Sequence, residues 1–163
     1  MCCDFADASL GVLLRAGIST LPVPVVQVCR SVGVMVKMIN ADGGYSTVIR
    51  GTQVVLIGVD DDRLRQRWTV AHELGHIVLG HVAGEQAVVD AEFEADAFAG
   101  SLLAPRCVLD EIGITRPPDI ATVCCISLND AIFCASLPHA ASRKEGAVIA
   151  QFGGYISSCA SGS

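Results

Sequence analysis

One five-residue string, His72-Glu73-Leu74-Gly75-His76, restricts the folds open to this chain more than any other feature. On an α-helix, residues four apart are offset by only about 40°, so both imidazoles leave one face, a turn apart. That reach suits two coordination positions on a single zinc ion. Glu73 projects beside the pair, where a carboxylate can act as general base on water, as in the H-E-x-x-H logic of zinc hydrolases. Catalytic zinc takes three protein ligands and leaves one position open. The fold must therefore bring a third donor from elsewhere onto this helix face.

Composition sets the background. At 163 residues the chain is read as one domain, with 52% hydrophobic residues. Only 17% are charged, below the roughly 25% of an ordinary soluble domain, so an exposed apolar patch for a partner is expected. No run of about 18 apolar residues is present, and the N-terminus is acidic where a signal peptide would be basic. These features predict a cytoplasmic protein with no membrane partner. A net charge of −6 argues against direct nucleic-acid binding, which relies on Lys and Arg neutralising phosphates. Arg63, Arg65 and Arg67 follow Asp60, Asp61 and Asp62 and read as a solvated helix start. The eight cysteines form no C-x-x-C pair and are expected to be reduced, small hydrophobes.

Periodicity and punctuation divide the chain into N-terminal helices (1–33), a sheet (34–60), metal-binding helices (63–104), C-terminal helices (106–145) and a tail (146–163). A first helix over 4–17 closes at Gly17, and a second follows Pro22 and Pro24. Residues 34–39, 45–50 and 53–58 alternate as strands, and the turns at 40–44 and 51–52 predict an antiparallel meander. The aspartates at 60–62 offer an N-cap for a helix over 63–79 that ends at Gly80. Further helices are predicted over 85–103, 106–112 and 119–125, and from the N-cap Ser127 to Leu137. The tail reads as a terminal strand or partly disordered.

Two routes lead to the third ligand. The metzincin pattern requires glycine and histidine three and six residues after His76, but Leu79 and Val82 stand there. His81, just past Gly80, reads as a helix-end residue. The other route is a carboxylate from the next helix. At about 100° per residue, Ala95, Phe98, Ala99, Leu102 and Leu103 share one face; Glu92 and Asp96 lie at its margin, and Glu94 points well away. A carboxylate turned inward is costly unless paired or metal-bound. Glu92 is accordingly the third ligand, Asp96 an acceptor for a ligand histidine's other N–H, and Glu94 a solvated surface residue.

The segments WTVAHELGHIVLGH (68–81) and EFEADAFAGSLLAP (92–105) resemble the ImmA/IrrE metallopeptidase family. The preceding strands and the Ile120-Ala…Ile126-Ser127 segment are also similar, so the resemblance covers about residues 20–140. It is specific at 68–105 and weak outside. Trp68 stands where Phe is commoner, and Ala104 where Met often precedes the proline; neither touches a predicted ligand. The resemblance implies an α+β, zincin-like domain: a small antiparallel sheet of about three strands on an active-site helix and a second ligand helix, with further C-terminal helices. It implies Zn2+ as cofactor, although two His and one carboxylate also tolerate Mn2+ or Fe2+. The substrate it implies is a helix-turn-helix (XRE/cI-like) repressor linked to a phage or mobile element. Tyr45, His139 and Tyr155 are open alternatives for the residue that polarises the substrate carbonyl.

Two other function classes compete. A non-catalytic, metal-dependent regulator would bind and sequester a transcription factor, and would be expected to close its site with a fourth ligand. A toxin of a toxin–antitoxin pair is the other. Direct DNA binding through residues 120–131 ranks last, because that faint helix–turn–helix carries no Arg or Lys.

Overall fold

A computed structural model describes residues 4–81, 88–138 and 142–161. In chain order these form α1 (Asp4–Ala16), α2 (Val25–Ser31), β1 (Met35–Ile39), β2 (Gly44–Ile49), β3 (Thr52–Gly58), α3 (Arg63–Leu79), α4 (Val88–Leu103), α5 (Arg106–Glu111), α6 (Pro117–Cys124), α7 (Leu128–Ser136), α8 (Glu145–Gln151) and α9 (Gly153–Ala160). The class is α+β, as the sequence predicts.

The sheet departs from the predicted meander. Its strand order is β1-β3-β2, with β1 parallel to β3 and β2 antiparallel to it. Strand β3 carries the continuous apolar run Val54, Val55, Leu56 and Ile57, all buried, which suits a central strand covered on both faces. The residues between β1 and β2 therefore do not close a hairpin; they cross the end of β3. Gly58 makes the crossing possible, since a Cβ there would lie only 2.3 Å from the carbonyl oxygen of Ala41. The Gly58 N–H donates to Gly43 O at 2.7 Å, and Val59 N–H to Ile39 O at 3.0 Å, which fixes the crossing segment. The true hairpin joins β2 to β3 through Arg50 and Gly51, both at positive φ (50° and 79°), as a two-residue turn requires.

Helix α3 lies against this sheet. Asp62 caps it, its side chain accepting from Leu64 N at 2.9 Å and Arg65 N at 3.0 Å. Gly80, at φ 73°, ends it with the left-handed residue that a helix C-terminus favours. Val70, Ala71 and Leu74 face Val55 and Ile57 in the core, while the other flank packs on α4 through Phe98 and Leu102. Each fully buried side chain of that size contributes about 1.5–3 kcal/mol. At the crossing, Gly75 leaves room for the Ala95 backbone and the Phe98 ring.

The tail is a second correction. Residues 145–160 form α8 and α9 rather than a strand or a disordered end. Val148 and Phe152, four apart and fully buried, anchor them to the core, and the Gln151 side-chain amide donates to Leu13 O and Ile18 O at the end of α1. The predicted start of α4 at 85–87 and the candidate His139 lie outside the described residues.

The α6–α7 pair bends by 115° and buries Ile120, Cys124, Ile126 and Ala131, so core packing accounts for residues 120–131. Cys29, Cys107, Cys124 and Cys134 are buried free thiols, and burial pushes three of them up to about 12 and Cys107 to about 11. At those values they remain protonated near neutral pH and act as hydrophobes.

Candidate metal centre

The helical phase of α3 turns His72 and His76 toward α4, which returns Glu92 between them. The two Nε2 atoms lie 3.0 Å apart. Glu92 Oε2 is 3.2 Å from His72 Nε2, and its Oε1 is 3.4 Å from His76 Nε2. Zinc–ligand bonds of about 2.05 Å in a tetrahedron set neighbouring donor atoms about 3.3 Å apart, so the triangle has the dimensions of a three-ligand zinc face. Among the described residues these three are the group of His, Cys, Asp and Glu side chains that could hold an ion.

The chemistry of the donors points the same way. His72 Nδ1 lies 2.8 Å from Asp96 Oδ1; an ionised carboxylate only accepts, so the ring donates there and its Nε2 presents a bare lone pair. Facing Glu92, that lone pair calls for a proton or a metal cation between them, and a metal serves His76 Nε2 at the same time. The structure thus places Asp96 where the sequence predicts an acceptor. Asp96 also accepts from Trp68 Nε1 at 3.3 Å, a contact the sequence reading did not foresee.

These contacts move the two histidines in opposite directions. Burial works to lower the His72 pKa, but the Asp96 hydrogen bond and the nearby carboxylates outweigh it, and the net shift is upward. At His76, burial and the adjacent His72 push the value down. Burial raises the Asp96 carboxyl, yet the bonds from His72 and Trp68 hold it below its ordinary value.

Glu73, only 9% exposed, opens with both histidines onto a cleft of about 1040 Å³. One wall of the cleft is β2, residues 44–48, whose outer edge pairs with no strand among the described residues. Tyr45 lines this cleft, whereas Tyr155 sits on α9, packed against the core and away from it.

Three sequence expectations need amendment. His81 is more than a helix-end residue: its Nδ1 is 3.0 Å from His76 Nδ1 and its Nε2 is 3.0 Å from Glu94 Oε2. Glu94 is consequently not a free surface carboxylate; Glu92 and Asp96 flank one side of the buried face of α4 and Glu94 the other. Arg67 is not part of a solvated helix start, since it donates from Nε to Cys125 O at 3.0 Å and from Nη2 to Cys124 O at 3.2 Å. It thereby ties α3 to the C-terminus of α6. Arg63 and Arg65 are exposed as expected.

Set against known protein families, residues 29–122, more than half of the chain, match the model of Peptidase_M78, described as the IrrE N-terminal-like domain. No curated protein matches the chain.

Proposed function

The chain belongs to this IrrE-like family of metallopeptidases, and we propose from that premise that it is a zinc-dependent endopeptidase acting on a regulatory protein. The observation that supports this most is the triangle of His72, His76 and Glu92 donors at 3.0–3.4 Å, open to a cleft that also holds Glu73. A bound zinc ion would supply Lewis acidity toward the scissile carbonyl and toward water. His72, His76 and Glu92 would hold it, and Asp96 would keep the His72 ring aimed. Glu73 would accept a proton from the water whose oxygen bonds to the scissile carbonyl carbon. The same carboxyl would return that proton to the amide nitrogen as the C–N bond breaks, leaving an amine and a carboxylic acid, whose own proton then passes to the amine.

The outer edge of β2, unpaired among the described residues, would offer the substrate backbone a strand to pair with. Main-chain pairing fixes register without reading sequence, so selectivity would come from side chains lining the cleft, Trp68 and Tyr45 among them. We take the substrate to be a helix-turn-helix repressor carried with this chain on a phage or mobile element, and the setting to be the cytoplasm. The test combines purified zinc-loaded protein with the repressor encoded next to it and maps fragments by mass spectrometry. One defined cut is expected from the native chain and none from Glu73→Gln, which should still bind zinc. Full biological effect retained by Glu73→Gln would overturn the peptidase reading in favour of sequestration.

A further inference from the structure

His81 follows the last residue of α3, yet its side chain is only 6% exposed. The left-handed turn at Gly80 folds the chain back, and the His81 N–H bonds to His76 O at 3.0 Å, which sets the imidazole over the last turn of the helix. There both ring nitrogens are engaged, Nδ1 by His76 Nδ1 and Nε2 by the Glu94 carboxylate, each at 3.0 Å.

The direction of the protons follows from the end of this chain. A carboxylate has no proton to give, so His81 Nε2–H donates to Glu94. With the His81 ring neutral, its Nδ1 holds a lone pair, and the 3.0 Å contact runs from His76 Nδ1–H to His81 Nδ1. His76 Nε2 is left bare, on the side where His72 Nε2 and Glu92 Oε1 converge. We propose that His81 and Glu94 are a positioning pair for the metal: the donor chain from His76 to His81 to Glu94 fixes the tautomer and the plane of the His76 ring, as Asp96 does for His72. Helix α4 straddles the motif, giving Asp96 from one flank and Glu94 from the other. With both nitrogens committed, His81 is not free to serve as a fourth ligand.

The proposal deepens the metallopeptidase reading and rests on it. Competition titration of the full chain against a chromophoric zinc chelator, at one fixed pH, tests it. Removing an outer hydrogen-bond partner of a ligand histidine typically weakens metal binding about 10–100-fold, and His81→Phe, which keeps the ring volume, is expected in that range. Glu94→Ala alters a side chain that is half exposed and leaves the core untouched, so it guards against misfolding of the first variant; about a three- to tenfold loss is expected. His81→Gln should recover most of the affinity, because its amide oxygen can accept from His76 and its amide nitrogen can donate to Glu94.

Long-range proton–nitrogen NMR of the metal-free protein supplies a readout that a purely structural role would not move. The His76 ring should hold its proton on Nδ1 in the native chain and show mixed tautomers in His81→Phe. If the native chain binds zinc and both His81→Phe and Glu94→Ala bind it within about twofold of native, the positioning pair is refuted while the site stands. If the native chain takes up no zinc, both readings fall.

Discussion

Replacing Gly75 with alanine tests whether α3 and α4 are held at the separation the ligand set needs. A Cβ at this position would lie 3.1 Å from Ala95 O, 3.1 Å from Phe98 Cδ1 and 3.2 Å from Ala95 Cα. Comfortable contacts begin near about 3.5 Å, so the helices must part by roughly 0.4 Å. Two of these atoms are α4 backbone and the third belongs to a fully buried ring, so none can swing aside. Overpacking of this kind costs about 1–3 kcal/mol. Against it, exchanging a mid-helix glycine for alanine returns about 1 kcal/mol of helix propensity. The difference is a loss of about 0–2 kcal/mol, and each kcal/mol lowers the melting temperature by roughly 2–4 °C in a chain of this length.

The metal reports the displacement more sharply than the melt. Glu92 rides on α4 and both histidines on α3, so parting the helices lengthens the 3.2 and 3.4 Å separations together. Glu92 is half exposed and recovers part of the gap by a rotamer change, which limits the expected loss of zinc affinity to about three- to tenfold, or roughly 0.7–1.4 kcal/mol. Scanning calorimetry of the metal-free protein gives the first quantity and chelator competition the second. A Gly75→Ala variant that melts at or above the native temperature and binds zinc as tightly as the native chain would show that the crossing at Gly75 does not set the site.

Other perturbations separate the remaining parts of the structure. Zinc at a hundredfold excess over its Kd should stabilise the stripped protein by about 2.7 kcal/mol, seen as a higher melting temperature that His76→Ala abolishes. Arg67→Met removes the donor to Cys124 O and Cys125 O and should destabilise the fold by about 1.5–3 kcal/mol in urea titration; an unchanged midpoint would remove Arg67 as the tie between α3 and α6. The hydrogen bonds from Lys144 and Ser142 hold the Asp7 carboxyl below its ordinary value. A carboxyl lowered by folding adds stability above its unfolded pKa and loses it as pH falls through the folded one. Asp7→Asn should therefore lower the unfolding free energy near pH 7 by no more than about 0.2–1 kcal/mol at this half-exposed pair, and leave it unchanged near pH 2, as urea titration at the two pH values would show.

What could be read from sequence was whatever local chemistry decides. The bounds of α3 follow from an aspartate that accepts two orphan amides and a glycine in the left-handed region, both within one turn of the helix ends. Helical phase set Glu92 and Asp96 at the margin of the face that buries Phe98, Ala99 and Leu102, but Glu92 is not turned inward: its side chain is 53% exposed, and only its approach to His72 and His76 distinguishes it from Glu94. Contacts set by tertiary geometry stayed out of reach. The crossing over β3 depends on space at Gly58, although the unbroken apolar run at 54–57 already marked β3 as central. Glu94 looked solvated because a wheel of α4 says nothing of a histidine folded back from beyond α3. The tail misled through its Gly and Ser content, while the four-residue spacing of Val148 and Phe152 was the helical pattern to weigh.

The odd–even layout of α4 has a further consequence for how such a chain can vary. Positions 92, 94 and 96 each answer to a histidine, so one residue inserted between them would rotate the rest of the helix by about 100° and break at least one pairing. Substitution remains open at the exposed Val89, which none of those pairings uses. Divergence along this stretch should proceed by exchange of side chains and never by change of length.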